Sequence, residues 1–414
     1  MDAAQAQRVI ESLRKGIPPD GFVRQFTVGR ESEIRQLTER IDSSITGALL
    51  LKANYGSGKT HLLRFIREKA LESGFAVSTI TLDANAAVRF NRMDQIFGSV
   101  LRSIDFPQRQ TKGPAALFEV MLEAMTSPLY FTGSSYSDAD RKAKLDELST
   151  MGRWDYSRTL KSPALYVGLR AWIIGTLHGE EYPTIAQEVE GWLCEPWNYY
   201  TRTTWLYERF VSGLRKHFRD PRAGWQFYRR GTDTFIFKGS DFRQSWDALA
   251  DLHLLVKLAG LKGLVLLVDE FEDVIYNLKK INYQQDAFWN LFRLFDGEFP
   301  GHSFYAVTPA FVEKCKNLLL SKHCWDYDFS RFDRLPTFEM SPLEVSELEE
   351  LSMRILETHG IAYDWEPDLL MKYSHLRQIV HQAASLQIQD RARHTIVTVV
   401  KALDHLLEDQ NGHN

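Results

Sequence analysis

The sequence predicts an α/β protein: a parallel sheet core, a large helical insertion within that core, and a helical unit after it. Three observations lead to this prediction. Runs of strand length occur at 48–52, 75–82, 264–268 and 304–307, of which 75–82 is rich in β-branched residues and the other three are mostly apolar. A helical apolar spacing follows the first run, and the long stretch between the second and third runs is mostly helical in pattern. Continuous apolar runs are typical of strands covered on both faces, as parallel strands are.

Length and composition limit the class of protein. The 414 residues predict two or three folded units, since domains usually contain roughly 100 to 200 residues. The 44% of hydrophobic and 25% of charged residues are those of an ordinary folded soluble chain. The net charge of −4 argues against a whole-chain electrostatic footprint for nucleic acid, so partners must be inferred from local sites.

The cysteines and the apolar runs predict a cytoplasmic protein. Cys194, Cys315 and Cys324 have neither the pairing of a disulfide framework nor the spacing of a zinc site. They indicate thiols in a reducing compartment. No apolar run reaches the roughly 18 residues of a membrane span, and the first residues lack the apolar core of a signal peptide, so we expect no membrane contact.

The pattern along the chain predicts five segments. A strand at 48–52, a helix at 60–73 and a strand at 75–82 form a βαβ unit with parallel strands. Helical spacing and most of the tryptophans mark the insertion, and helical spacing returns after Pro342. The predicted segments are an N-terminal helix (1–19), the first half of the core (20–104), the helical insertion (105–255), the second half of the core (256–341) and a helical lid (342–414).

The first strand is followed by the segment ANYGSGKT, residues 53–60, which matches the phosphate-binding loop G-x-x-x-x-G-K-[ST] except that Ala53 replaces the first glycine. Gly56 and Gly58 allow backbone amides to face an anion, Lys59 reaches the terminal phosphates, and Thr60 holds Mg²⁺. A plain strand-to-helix turn is the alternative, but it would not require Lys-Thr after the glycines. The predicted class is a P-loop NTPase that binds ATP and Mg²⁺ through Asn54, Tyr55, Gly56, Ser57, Gly58, Lys59, Thr60 and His61.

The apolar strand at 264–268 ends in two adjacent acids, Asp269 and Glu270, which is the Walker B pattern. At the carboxyl edge of a sheet, Asp269 would meet the metal held by Thr60, and Glu270 would polarise the attacking water. An apolar strand followed by two acids is often a plain strand end. Coupled to the loop at 53–60, it predicts an ATPase with Glu270 and Lys59 in catalysis.

The fourth apolar run, 304–307, ends in Thr308, whose hydroxyl is placed to sense the γ-phosphate or the water. A simple strand cap explains Thr308 equally well.

The order of these motifs resembles that of the AAA+ ATPases. The segment RFDR at 331–334, which follows the fourth strand, adds to this AAA+-like order. In that superfamily such arginines act as fingers on the nucleotide of a neighbouring subunit, which implies a homo-oligomer and gives Arg331 and Arg334 this role. A guanidinium is a planar, permanently charged fork that stabilises charge on a transferring phosphoryl group. The alternative is a pair of surface arginines that form ion pairs with Asp326, Asp328 or Asp333.

Two further segments resemble the origin-recognition and STAND-like branch of that superfamily. VGRESEI at 28–34 resembles the segment that packs beside adenine, which implies nucleotide contacts for Gly29 and Arg30. SHLRQIV at 374–380 resembles the lid helix whose arginine senses the phosphates, which implies that role for Arg377.

Three stretches together resemble the ATP-binding proteins of BREX-type bacteriophage-defence clusters: GIPPDGFVRQFTVGRESEI, YGSGKTHLLRFIREKALESGFAVSTITLD and LLVDEFEDV. The resemblance covers roughly 20–90 and 255–390, and it implies an ATPase that works with other defence proteins on foreign DNA.

The segment 214–230 is a candidate for direct contact with DNA, because it interleaves six basic residues with four aromatic ones. A solvated helix face with an aromatic underside predicts the same pattern. We favour that alternative, because the origin-recognition branch normally adds a winged-helix domain for which we expect no room after the lid.

Two rival functions share the binding residues. In the first, ATP closes the lid and exposes the insertion to a partner protein, so the chain is a conformational switch or adaptor with little hydrolysis. In the second, the chain is a small-molecule kinase with the insertion as acceptor site, which the lid and the RFDR order disfavour.

Overall fold

The fold is known from a computed structural model that describes most of the chain. The described residues are 1–43, 45–54, 56–82, 88–125, 160–162, 185–195, 243–272, 278–367 and 371–412, with the single residues 139, 165, 172 and 274. Two predicted features, Tyr55 and the basic segment 214–230, lie outside them.

A five-stranded sheet, parallel throughout, forms the centre of the protein. Its strands are β1 (Gly47–Lys52), β2 (Ala76–Thr81), β3 (Leu264–Asp269), β4 (His302–Val307) and β5 (Thr337–Glu339). The predicted α/β class with a parallel sheet is confirmed, and four strands agree with the apolar runs to within two residues at each end. β5 was not predicted, because three residues are too short to show a pattern.

The strands lie in the order β2-β3-β4-β1-β5. β1 and β2 are parallel, as the βαβ prediction requires, but β3 and β4 lie between them. Burial explains this order. Every residue of β3 and β4 is buried, whereas β2 exposes Thr79 and Thr81 and β5 exposes Thr337 and Glu339. Strands that are apolar on both faces occupy the middle of the sheet.

Side-chain alternation divides the core between the two faces of the sheet. Leu49 and Leu51 of β1 pack in one cluster with the helix that follows β1, while Ala48 and Leu50 pack in another. The second cluster is larger and extends into residues of the predicted insertion. The helices that cover the two faces thus bury the apolar side chains on both surfaces of the sheet.

The helices account for most of the remaining described residues. They are α1 (Ala3–Arg14), α2 (Glu31–Asp42), α3 (Lys59–Glu72), α4 (Met93–Ser103), α5 (Gly113–Met125), α6 (Ile185–Cys194), α7 (Arg243–Leu258), α8 (Ile281–Phe295), α9 (Phe311–Ser321), α10 (Ser330–Asp333), α11 (Val345–Tyr363), α12 (Tyr373–Ala384) and α13 (Ile388–Gly412). A short 3₁₀ helix, Val23–Phe26, precedes α2.

The described parts of the segment 105–255 share the core of the sheet. Buried residues of α5, α6 and α7 belong to the same cluster as the apolar face of β3. Asp251 of α7 accepts a hydrogen bond from the backbone N–H of Ser162, which fixes the two parts of this segment to each other. The predicted boundaries of the five segments stay predictions.

The N-terminal helix joins the C-terminal helices. Buried residues of α1 form one cluster with α11, α12 and α13. The Arg14 guanidinium forms an ion pair with Asp404 of α13 at 2.8 Å, and Asp404 also lies 3.1 Å from Nε2 of the buried His359. Two ends of the chain therefore form one helical unit beside the sheet. Among the described residues, no helix combines the length and the apolar character that a membrane span needs.

Candidate functional site

A cleft of about 470 Å³ lies where β3 ends and α3 begins, between the sheet and the C-terminal helices. Of the residues predicted for the site, those that line it are Arg30, Gly56, Ser57, Gly58, Lys59, Thr60, His61, Asp269 and Glu270. The structure therefore brings the two sequence motifs, which are more than two hundred residues apart, to the same cleft.

The turn between β1 and α3 depends on two glycines. Gly56 and Gly58 have φ values of 70° and 97°, a region in which only glycine is unstrained. Gly58 caps α3 without a side-chain hydrogen bond, so backbone amides of the first helical turn face the cleft. Inside the turn, Ser57 Oγ donates to Asn54 O at 2.6 Å. Asn54 itself is exposed and does not line the cleft.

Lys59 lies buried at the floor of the cleft. Its Nζ donates to Ala53 O at 3.1 Å and lies 3.8 Å from Glu272 Oε1. Burial lowers the pKa of Lys59, and the negative charges of Glu272, Asp269 and Glu270 oppose that shift in this order. The lysine is thus a desolvated cation surrounded by acids, and an additional anion in the cleft would stabilise its charge.

Thr60 and Asp269 are in direct contact. Thr60 Oγ1 donates to Asp269 Oδ2 at 2.8 Å, and Asp269 Oδ1 accepts the backbone N–H of Glu270 at 2.9 Å. Asp269 is the last residue of β3, so its carboxylate lies at the carboxyl edge of the sheet next to the first turn of α3. A hydroxyl and a carboxylate at this distance leave room for a small divalent cation to take both as ligands when an anion supplies the rest.

Glu270 is exposed at the cleft with a φ of 53°, in the left-handed region that is uncommon outside glycine. Its backbone is held in place by the Asp269 carboxylate on one side and by the hydrogen bond from Phe271 N–H to Ala306 O on the other. The turn that follows β3 therefore projects the Glu270 carboxyl away from the sheet and towards solvent in the cleft.

Glu272 is a functional candidate that the sequence analysis missed. Its side chain is 2% exposed, and Oε2 accepts the backbone N–H of Thr308 at 2.9 Å while Oε1 faces Lys59. The carboxylate thus links the first residue of α3 to the residue that follows β4. Thr308 does not line the cleft, and among the described residues its buried hydroxyl has no hydrogen-bond partner. The predicted sensing role of Thr308 stays a prediction.

Arg30 connects the loop to the helical unit. Its Nη2 donates to Ser57 O at 2.9 Å and its Nη1 donates to Ser341 O at 3.0 Å. Burial lowers the pKa of Arg30, and Glu33 and Glu347 partly oppose this. Gly29, with a φ of 60°, lies against Glu347 rather than in the cleft, and a Cβ there would lie 1.9 Å from the Glu347 carboxylate. The glycine is required for close packing on α11.

The other end of the cleft is apolar. It is lined by side chains from the N-terminal segment and the C-terminal helices: Ile17, Pro18, Pro19, Phe26, Val28, Leu343, Leu351 and Ile396. Two polar side chains, His61 and Thr27, are in contact there at 2.8 Å. Burial lowers the pKa of His61 to about 4, and Arg30 and Arg64 act in the same direction.

Arg393 of α13 also lines the cleft, and it packs against Gly16. No motif marks it in the sequence, because only the docking of α13 beside α1 brings it there. Arg377, the residue predicted from the lid resemblance, lies elsewhere. It is exposed, and its Nε donates to Glu349 Oε1 at 2.9 Å. Of these two arginines of the C-terminal helices, only Arg393 lines the cleft, and the predicted role of Arg377 stays untested.

The two arginines of the RFDR segment do not reach the cleft of their own chain. Arg331 forms an ion pair with Asp296 at 2.7 Å, stacks on the Phe292 ring and lines a separate cavity of about 1060 Å³. Arg334 is exposed and lies 3.5 Å from Asp328, which is one of the surface ion pairs that the alternative interpretation named.

The structure defines an α/β protein with a cleft at the carboxyl edge of a parallel sheet. Residues 1–148 match the family model described as "BREX system ATP-binding protein BrxC/D". The resemblance predicted from the sequence is confirmed over this part of the chain, 148 of its 414 residues. Neither the curated proteins nor the solved structures gave a match.

Proposed function

We propose that the chain is an AAA+-like P-loop ATPase that binds Mg-ATP in the cleft between α3 and β3. The observation that carries the proposal is the contact between Thr60 and Asp269, at the floor of a cleft that also contains the positively charged start of α3. A triphosphate at this end is surrounded by the backbone amides after Gly56 and by the Lys59 ammonium. The apolar end has the character of a site for a flat base.

The residues present fit a magnesium ion that arrives with the nucleotide. Among the described residues, no group of three or more His, Cys, Asp or Glu side chains could hold a metal. Mg²⁺ commonly binds through one or two protein oxygens, phosphate oxygens and water. Thr60 and Asp269 would supply the protein oxygens, and the bound ion would neutralise charge on the phosphates.

Glu270 is the proposed general base. Its carboxylate is exposed in the cleft next to the proposed metal ligand, where it can accept a proton from a water that attacks the γ-phosphate. Thr308 would complete the site from the end of β4, and Arg393 would approach the phosphates from α13. Arg377 stays a candidate for sensing the phosphates, the role that the lid resemblance implies for it.

A homo-oligomer is part of the proposal. Arg331 and Arg334 lie outside the cleft of their own chain, so they would act only on the nucleotide of an adjoining protomer. The family description over residues 1–148 supports a role in phage defence together with other proteins of that system. Action on DNA through the segment 214–230 remains a hypothesis from sequence.

The second candidate function is a nucleotide-dependent switch. The observation that favours it is Arg30, which joins the loop at Ser57 to Ser341 in the short segment between β5 and α11. Nucleotide binding that moves the loop would therefore reposition α11 and its neighbours without any hydrolysis.

One pair of measurements tests the proposal and separates the two candidates. Glu270→Gln should bind Mg-ATP as tightly as the wild type and lose turnover by about 100-fold or more, as expected when a general base is removed. Phosphate release by the purified wild type, with the Gln variant as its control, measures this. A wild type that binds ATP without releasing phosphate at any protein concentration would instead support the switch.

A further inference from the structure

Among the described residues that line the cleft, His61 and Thr27 form a polar side-chain contact, with His61 Nε2 2.8 Å from Thr27 Oγ1. We propose that His61 recognises position 6 of a purine base and thereby makes the site prefer adenine to 6-oxo purines. The inference rests on the proposed nucleotide binding and adds a residue that determines which base is accepted.

The hydrogen-bond partners of Thr27 fix the tautomer of His61. A hydroxyl has one hydrogen, and Thr27 Oγ1 donates it to Val23 O at 2.9 Å. The 2.8 Å contact between Thr27 Oγ1 and His61 Nε2 is therefore a hydrogen bond that Nε2–H donates. A neutral imidazole carries a single N–H, so its other nitrogen, Nδ1, is an acceptor.

Nδ1 is available to a ligand. Among the described residues, none donates a hydrogen bond to it, and it is not one of the buried polar atoms without a partner. Thr27, which directly follows the 3₁₀ helix, thus holds one edge of the ring, and the opposite edge carries the Nδ1 acceptor.

The position of His61 within the cleft matches a base rather than a phosphate. It follows Thr60 directly, one residue beyond the end of the loop, and it contacts the segment that contains Val28. Leu343, Leu351 and Ile396 line the same end. A nucleotide with its phosphates between Gly56 and Thr60 would place its base among these apolar side chains, next to the imidazole.

The chemistry of position 6 explains the expected preference. Adenine carries an amino group there, which donates, whereas guanine and hypoxanthine carry a carbonyl oxygen, which accepts. Nδ1 is an acceptor, so it forms a hydrogen bond with the amino group of adenine. With a 6-oxo purine, Nδ1 and the carbonyl oxygen are both acceptors and no hydrogen bond forms between them. A buried site that matches a donor discriminates against analogues that leave its acceptor unpaired.

The test compares ATP with inosine triphosphate, which differs from ATP only in the groups at position 6 and the adjacent ring nitrogen. Calorimetric titration with Mg²⁺ at pH 8, where an ordinary imidazole is neutral, gives both dissociation constants. We expect the wild type to bind ATP about 10- to 100-fold more tightly than inosine triphosphate. In His61→Leu the two constants should agree within about threefold.

Thr27→Val provides the second variant, because it keeps the ring and removes the oxygen that fixes its tautomer. The imidazole is then free to carry its hydrogen on Nδ1 and to donate to a carbonyl oxygen. We expect the dissociation constants for ATP and inosine triphosphate to become more similar in this variant as well, although His61 is present. Deoxy-ATP serves as the control, since a contact with the base leaves the ratio of ATP to deoxy-ATP unchanged in both variants.

Equal binding of ATP and inosine triphosphate by the wild type would overturn the inference and leave the proposed ATPase intact. If the ratio of the ATP and inosine triphosphate dissociation constants were unchanged in both variants, the inference would also be overturned. A change confined to the binding of deoxy-ATP would overturn it too, because it would assign His61 to the ribose. A wild type that binds neither ATP nor inosine triphosphate would overturn the proposed function and this inference with it.

Discussion

Thr60 Oγ1 and Asp269 Oδ2 lie 2.8 Å apart, although 209 residues separate them along the chain. The contact joins the first turn of α3 to the end of β3 and places a hydroxyl and a carboxylate at one point of the cleft. If these two oxygens bind one magnesium ion in the ATP complex, removal of either oxygen should reduce the effect of Mg²⁺ on the affinity for ATP.

The first prediction concerns this pair. Thr60→Val should bind ATP as the wild type does in the absence of Mg²⁺. In the presence of Mg²⁺ it should lose most of the increase in ATP affinity that the wild type gains from the metal, a loss of about tenfold or about 1.4 kcal/mol. Titration calorimetry with and without Mg²⁺ measures the gain. Thr79→Val, an exposed threonine of β2, is the matched control and should behave as the wild type. A full magnesium effect in Thr60→Val would remove Thr60 from the metal site.

The second prediction concerns Glu272, whose carboxylate competes with a phosphate for the Lys59 ammonium. Glu272→Gln keeps an oxygen that accepts the Thr308 N–H, and it removes a buried negative charge 3.8 Å from Lys59. We expect ATP to bind more tightly by roughly tenfold, because repulsion falls and Lys59 is released. Weaker binding in this variant would show that Glu272 instead holds Lys59 in its productive position.

Glu272→Ala separates the charge from the hydrogen bond. It leaves the Thr308 N–H without its acceptor, which should lower the free energy of unfolding by about 1 to 3 kcal/mol relative to the Gln variant. Denaturant unfolding of the two variants measures the difference.

The third prediction distinguishes the two candidate arginines of the C-terminal helices. Arg393 lines the cleft, whereas Arg377 does not line it and is paired with Glu349. Arg393→Ala should weaken ATP binding by about 10-fold, the cost of a charge-assisted hydrogen bond, and Arg377→Ala should change it by less than about twofold. The opposite pattern would support the lid resemblance and imply that the C-terminal helices rearrange when nucleotide binds.

The fourth prediction is a pH dependence of stability. Burial raises the pKa of Asp251 to about 6, so the folded chain binds this proton more tightly than the unfolded chain does. Asp251 therefore favours the folded state at low pH, and this contribution is lost as the pH rises from about 4 through about 6. The loss is on the order of 3 kcal/mol, since each pKa unit corresponds to about 1.4 kcal/mol.

Asp251→Asn keeps an acceptor for the Ser162 N–H and carries no charge. It should flatten the stability profile between about pH 4 and pH 7 and be more stable than the wild type above that window. Asp409→Asn, an exposed acid of α13, serves as the control. Equal profiles for Asp251→Asn and the wild type would show that the carboxyl is solvated in solution.

The sequence predicted those parts of the fold whose causes are local. The loop between β1 and α3 follows from two glycines and a lysine within eight residues, and β3 follows from five consecutive apolar residues that precede Asp269. The meeting of Thr60 and Asp269 was also predictable, since the carboxyl ends of parallel strands lie at one edge. These predictions required no knowledge of the strand order.

Features that depend on packing between distant segments could not be predicted. Arg393 is one of several basic residues in α13, and only the docking of α1 and α13 brings it to the cleft. Glu272 is one of several acids at and after the end of β3, so composition does not reveal that its carboxylate accepts the Thr308 N–H.

Binding of Mg-ATP to the wild type and to Lys59→Ala, measured by titration calorimetry, tests the central claim most directly. Lys69→Ala, at the far end of the same helix, is the matched control. The proposed site predicts that the wild type and Lys69→Ala bind Mg-ATP equally and that Lys59→Ala binds it about 10- to 100-fold more weakly, because a buried charge-assisted hydrogen bond to phosphate is lost. A wild type that does not bind Mg-ATP, or a Lys59→Ala variant that binds it equally well, would contradict the account.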